Sequence, residues 1–201
     1  MQSDAIVYIV DDDEPIRKSL SLLMKSGGYR PVPCASAQEF LDRFDSQSPG
    51  CVVLDVRMPG MSGLELQQLL TDRGSPVPVI IMTGHGDVGM AVRAMKAGAR
   101  DFIEKPFDNQ VLLDRIEEAL ADAEQQQRRD EELGAARARL DLLTPRERQT
   151  MELLVSGKLN KQVAADLNIS VRTVESHRAK IMDKLQVRSL SELVRLSLTV
   201  H

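Results

Sequence analysis

No run in this 201-residue chain is apolar for the roughly 18–20 residues a membrane helix needs, which excludes a spanning segment. Its first residues include Asp4 and lack a basic stretch followed by a long apolar region, so export is not expected. Cysteine is scarce: Cys34 and Cys51 stand apart among apolar neighbours. Two isolated thiols form neither a disulfide framework nor a cysteine metal site, and they read as reduced core residues of a cytoplasmic protein. There is no internal repeat. The one compositionally biased stretch is polar and covers about 118–140.

What is present suits a soluble protein of one large or two small domains, with 42% apolar and 28% charged residues. The net charge of −4 conceals an asymmetry. Residues 1–143 carry 16 Lys+Arg against 24 Asp+Glu, whereas residues 144–201 carry 10 against 6. An acidic front and a basic back suggest that only the second part seeks a polyanion.

Up to about residue 120, strand-like runs near 5–11, 30–34, 51–55, 78–83 and 101–104 alternate with helical patterns. These occupy about 14–27, 36–46, 62–73, 87–97 and from 108 onward. Near-continuous Val/Ile/Leu runs fit strands buried on both faces. Gly27-Gly28, Gly74 and Gly98 fall where helices should stop, and Asp87 and Asp108 where two should start. His85, between Gly84 and Gly86, reads as a loop residue. Five βα repeats imply a doubly wound, five-stranded parallel α/β sheet of flavodoxin type.

Each of four runs ends on a functional side chain. The first reaches Asp11-Asp12-Asp13, the third Asp55, the fourth Thr83 and the fifth Lys105-Pro106. Open α/β sheets bind ligands at this carboxyl edge. Three carboxylates, a hydroxyl and an ammonium suit reversible phosphorylation of an aspartate beside a divalent cation. Magnesium, or manganese, requires hard oxygen ligands and keeps several waters. Asp12 and Asp55 would ligate it directly with the carbonyl of Arg57, while Asp11 would hold a coordinated water. Asp55 would also be the nucleophile, with Thr83 and Lys105 binding the resulting acyl phosphate. A cis Lys105-Pro106 bond would aim the lysine inward. Phe102 reads either as core or as a mobile signalling group.

These residues resemble a two-component receiver domain over 5–120. Asp11-Asp12, Asp55, Thr83 and Lys105-Pro106 match its acidic pair, phosphoacceptor, switch hydroxyl and lysine. Thr83-Gly84-His85-Gly86-Asp87 and Asp101 to Phe107 resemble the FixJ-like subgroup most closely. The resemblance implies a sensor histidine kinase as phosphoryl donor, and a switch in which Thr83 and Phe102 reorient. Phe102 stands where many relatives carry Tyr, so no phenolic hydroxyl is available to that switch. Arg57 occupies a position that tunes phosphate lifetime in the family.

Positions from 112 to 140 fall on a 4-3 rhythm whose apolar seam Gln126, Asp130 and Arg137 interrupt, which favours a solvated helical linker over a dimerising coiled coil. Thr144-Pro145-Arg146-Glu147 then carries a capping box with proline at the first helical position. Four helices fit about 145–156, 160–167, 171–185 and 189–199. At 100° per residue, Val174, His177, Ile181 and Leu185 share an inward face, while Arg172, Glu175, Ser176, Ala179, Lys180 and Asp183 lie opposite. That outward set suits a helix in a major groove. Glu175, Ser176 and Ala179 would approach base edges. Lys161, Arg172, Thr173, Arg178 and Lys180 would sit on phosphates.

Residues 143–197 resemble a LuxR/NarL-type four-helix DNA-binding domain, notably in Leu143 to Arg148, Asn160-Lys161 and Thr173 to Arg178. The combined organisation is then a receiver domain at 1–120, a linker at 121–142 and an all-α helix-turn-helix domain at 143–201. It implies a transcription regulator whose partners are a sensor kinase, double-stranded promoter DNA, RNA polymerase and, once phosphorylated, a second copy through the final helix. Turnover is not expected. A phosphatase of the haloacid-dehalogenase type needs a second carboxylate two residues after its nucleophile, where Arg57 stands here. A phosphorylation-gated interaction or RNA-binding protein is the remaining rival.

Overall fold

The computed structural model describes residues 5–46, 48–84 and 88–200; His85 and Asp87 lie outside them. The chain forms two compact units, Met1–Gln126 and Gln127–His201.

The first unit alternates β1 (Ile6–Val10), α1 (Glu14–Ser26), β2 (Arg30–Cys34), α2 (Ala37–Arg43), β3 (Gly50–Asp55), α3 (Gly63–Asp72), β4 (Val79–Thr83), α4 (Val88–Lys96) and β5 (Asp101–Glu104), and ends in the first part of α5 (Asn109–Leu140). All pairings are parallel and the order is β2-β1-β3-β4-β5, the flavodoxin arrangement expected from the pattern. Strand residues alternate between two cores. Ile6, Tyr8 and Val10 face α2, α3 and α4 through Phe40, Leu66, Leu70 and Ala94. Val7 and Ile9 face α1 and α5 through Leu20, Met24, Leu112, Ile116 and Ala119. Burial on both sides explains why these strands read as unbroken apolar runs. β2 carries Pro31 and Pro33, tolerated because it is an edge strand.

One helix end departs from the sequence pattern, and one expected helical stretch proves continuous with its neighbour. The second helix, expected to reach residue 46, stops at Arg43 because Phe44 becomes extended and joins Tyr8 and Phe40 in an aromatic cluster. Here tertiary burial overrides helix propensity. The polar stretch after 120 is no separate element but continues α5 to Leu140. Its Glu, Gln, Arg and Ala residues are good helix formers, and little along 121–132 is buried.

The second unit holds the end of α5, then α6 (Pro145–Val155), α7 (Asn160–Leu167), α8 (Val171–Leu185) and α9 (Leu190–Val200). Leu140, Leu143, Met151, Ile181, Leu185 and Leu193 form one core. Leu154, Val163, Ala164 and Val174 form another. Thr144 and Glu147 make the reciprocal capping box at the start of α6. Among the described residues no helix is long and apolar enough to cross a membrane.

Candidate functional site

Sheet order decides which side chains meet. β1, β3, β4 and β5 are successive neighbours, so Asp11, Asp55, Thr83 and Lys105 follow one another along the carboxyl edge. The Lys105 ammonium joins two of them, 2.7 Å from Asp11 Oδ2 and 2.7 Å from Asp55 Oδ1. Both carboxylates are buried, Asp11 1% and Asp55 8% exposed, as is Thr83. The Lys105-Pro106 bond is cis.

Backbone donors fix the remaining carboxylate oxygens. The Asp13 N–H donates to Asp11 Oδ1 at 2.9 Å, and the Arg57 N–H to Asp55 Oδ2 at 2.6 Å. From the first turns of α1, Arg17 Nη1 donates to the Asp11 carbonyl at 2.6 Å. That contact had no signal in the sequence, because an arginine on an amphipathic helix reads as solvated surface. Gly63 opens α3 against the same strand end: a Cβ there would lie 2.1 Å from the Asp55 carbonyl oxygen. No other residue fits so close to the backbone of Asp55.

Burial alone would lower the Lys105 pKa, yet its bonds to Asp11 and Asp55 outweigh burial and hold it above its ordinary value. The lysine therefore stays an ammonium, and one positive charge faces two buried carboxylates. The donor set is hard oxygen: two carboxylates, an exposed Asp12 at the rim and the Arg57 carbonyl nearby in sequence. Among the described residues no three His, Cys, Asp or Glu side chains converge to hold an ion by themselves. Such a set fits magnesium, which takes one or two carboxylates and completes its shell with water and phosphoryl oxygens. Phe102 is half-buried and packs on the core that contains Leu66 and Ala94, beside Ile81 in the sheet register.

In the second unit, Asn168 takes the left-handed conformation after α7, and Ser170 caps α8 by accepting from the Thr173 N–H at 3.0 Å. This turn presents α8 as expected: Val174, Ile181 and Leu185 are fully buried. His177 is half-buried, with Nδ1 3.3 Å from Thr150 Oγ1. Arg172, Glu175, Ser176, Ala179, Lys180 and Asp183 are all exposed, as is Lys161 on α7. Thr173 and Arg178 are half-buried, and the Thr173 hydroxyl is shared with Ser170 at 2.8 Å. Two nearby lysines serve inside the unit: Lys158 pairs with Asp166, and Lys184 with Glu147.

Residues 7–117 match the response regulator receiver domain, and residues 141–197 match the bacterial regulatory proteins of the luxR family. The chain belongs to the two-component response regulators. It is 47% identical to the transcriptional regulatory protein FixJ of Bradyrhizobium diazoefficiens, over 98% of this chain and 97% of that one. Among solved structures, response regulator StyR is similar with a TM-score of 0.87 and 43% identity, covering 98% of this chain and 99% of its own. Full-length FixJ from B. japonicum is similar with a TM-score of 0.62 and 46% identity, covering 98% of each chain. This response regulator thus combines a receiver with a luxR-type DNA-binding domain and is a transcription regulator, in a family that does not turn over substrate. A receiver implies a histidine kinase partner and, generally, magnesium for phosphorylation.

Proposed function

We propose that Asp55 accepts a phosphoryl group from a sensor histidine kinase, and that this event controls dimerisation and promoter binding by the C-terminal unit. The observation that carries this reading is the convergence of Lys105 on Asp11 and Asp55 at 2.7 Å. In the transfer, an Asp55 carboxylate oxygen forms the new P–O bond while the donor's P–N bond breaks. The P–N electron pair returns to the imidazole of the kinase.

Asp11, Asp12, Asp55 and the Arg57 carbonyl would hold magnesium or manganese, whose chemistry there is to neutralise charge on the transferring oxygens. Lys105 remains the fixed cation. Once a phosphoryl group sits on Asp55, the ammonium leaves Asp55 Oδ1 for a phosphoryl oxygen, and the Thr83 hydroxyl donates to another. Phe102 follows Thr83, so the β4–β5 edge acquires a second arrangement. Moving such an equilibrium from 1:99 to 99:1 takes about 5.5 kcal/mol of differential stabilisation.

The receiver is assigned to 1–120, the linker to 121–142 and the DNA-binding domain to 143–201. Glu175, Ser176 and Ala179 read base edges, while Lys161, Arg172, Thr173, Arg178 and Lys180 lie on phosphates. A dimer pairs these helices on a two-fold-related site in the cytoplasm, where RNA polymerase is the downstream partner. The test is a gel shift with a selected duplex, using chain treated with acetyl phosphate and magnesium. Tighter binding than by untreated chain is expected, with the gain absent in Asp55→Asn. Equal affinity in all three samples would remove the switch.

A further inference from the structure

The capping boxes at α3 and α6 have nearly identical geometry but different surroundings. At α3, Glu65 Oε2 accepts from the Ser62 N–H at 2.8 Å and from Ser62 Oγ at 2.7 Å. At α6, Glu147 Oε2 accepts from the Thr144 N–H at 2.9 Å and from Thr144 Oγ1 at 3.0 Å. Glu65 is exposed and needs nothing further. Glu147 is only 5% exposed and takes a third donor, Lys184 Nζ at 2.7 Å, from the last turn of α8. The box at α3 caps its helix without a cation, so capping does not account for Lys184.

Lys184 also donates to the Leu142 carbonyl at 3.2 Å, in the turn that follows α5. A second cation holds the same turn: Arg148 Nη2 donates to the Leu140 carbonyl at 2.9 Å and to Asp141 Oδ1 at 3.2 Å. The end of α8 is therefore fastened to the start of α6, 37 residues away, and to the turn after α5, 42 residues away. On a basic helix proposed to bind DNA, Lys184 would ordinarily be counted among the phosphate contacts. Its ammonium is instead committed inward, with the side chain 33% exposed.

We propose that Lys184 is a positioning residue for DNA recognition. By gripping Glu147 and the Leu142 carbonyl, it sets the pose in which Glu175, Ser176 and Ala179 are presented, and it makes no phosphate contact. This rests on the reading of α8 as the DNA-binding helix. A sequence-reading helix must be held to within a fraction of an ångström for its base contacts to form, whereas non-specific binding tolerates a loose one.

The test uses the full chain, a duplex selected by the parent protein from random-sequence DNA, and an unselected duplex of equal length. Lys184→Met keeps the stem, and Glu147→Gln keeps a capping-box residue while removing the charge. Each is expected to weaken the selected duplex about tenfold, equivalent to about 1.4 kcal/mol, and the unselected one less than about twofold. The slope of log K against log[salt] should not change in either, the double variant should be no worse than the singles, and Lys184→Arg should restore binding. A slope about 0.9 shallower in Lys184→Met alone, with Glu147→Gln unaffected, would make Lys184 a phosphate contact and overturn the proposal. So would equal losses on both duplexes, the mark of a merely unfolded fraction. A parent chain that selects no duplex would overturn the DNA-binding reading itself, and the proposal with it.

Discussion

The two units place their decisive charges differently. In the receiver, Asp11 and Asp55 are buried and tied to one lysine, and the pocket exists only because four strand ends meet. In the DNA-binding unit the proposed base-reading groups stand exposed on one face of α8, and a charge pair of buried Glu147 and half-buried Lys184 ties the last turn of that helix to α6. Chemistry on a phosphoryl group needs a preorganised, partly dry site in which electrostatics are strong. Reading a polyanion needs exposed, adaptable groups on a rigid support. The receiver puts charge in its site; the other unit puts charge in its scaffold.

Lys105→Met should produce the largest effect, because it leaves two buried carboxylates without their cation. Removing one member of a buried pair typically costs about 3–5 kcal/mol, and denaturant unfolding at neutral pH should show a loss of that order in the receiver. Asp55→Asn should behave oppositely. It leaves one carboxylate for one ammonium, so stability should hold or rise while phosphoryl acceptance vanishes. A large destabilisation by Asp55→Asn would break the picture of a site charged against its own stability.

Gly63→Ala comes next. The added Cβ would lie 2.1 Å from the Asp55 carbonyl, so α3 or the end of β3 must move. Such overpacking costs about 1–3 kcal/mol, and stopped-flow phosphorylation by acetyl phosphate should slow by more than the stability loss explains. An unchanged rate would mean that the backbone at Asp55 is not held from this side.

The pH response separates the units further. The Lys184 ammonium and the Thr144 donors pull the Glu147 pKa down to about 2 from 4.5. A carboxylate depressed by folding contributes stability that is complete above 4.5 and lost as pH falls toward 2. Acid unfolding of the C-terminal unit, followed by helical signal, should be less steep across that window in Glu147→Gln. Lys105 has the opposite sign: its raised pKa contributes stability below 10.5 that is lost only as pH rises through its folded value. The smallest effect belongs to Gly134 in α5, where an added Cβ would meet nothing within 4 Å. Gly134→Ala should stabilise the helix by about 0.5–1 kcal/mol, seen as a small rise in melting temperature.

How much of this was legible in the sequence follows the same division. Asp11, Asp55, Thr83 and Lys105 could be placed together because the first three close or directly follow apolar runs, Lys105 follows the mixed run Asp101 to Glu104, and the parallel βα pattern dictates that such ends share an edge. The outward face of α8 was legible because helical periodicity alone sorts Val174 and Ile181 from Glu175 and Ala179. Contacts between distant segments were not. Nothing local marks Arg17 as a partner of the Asp11 carbonyl, or Lys184 as a partner of Glu147 across 37 residues. Nor does local pattern announce that Phe44 leaves its helix to meet Tyr8, a choice made by packing.

Intact-protein mass spectrometry of the full chain incubated with acetyl phosphate and magnesium, beside its Asp55→Asn variant, decides whether Asp55 is the phosphoacceptor. One phosphoryl adduct is expected on the parent chain, mapped to Asp55, and none on the variant. An adduct that persists in Asp55→Asn, or a parent chain that stays unmodified with both acetyl phosphate and its sensor kinase, would contradict it.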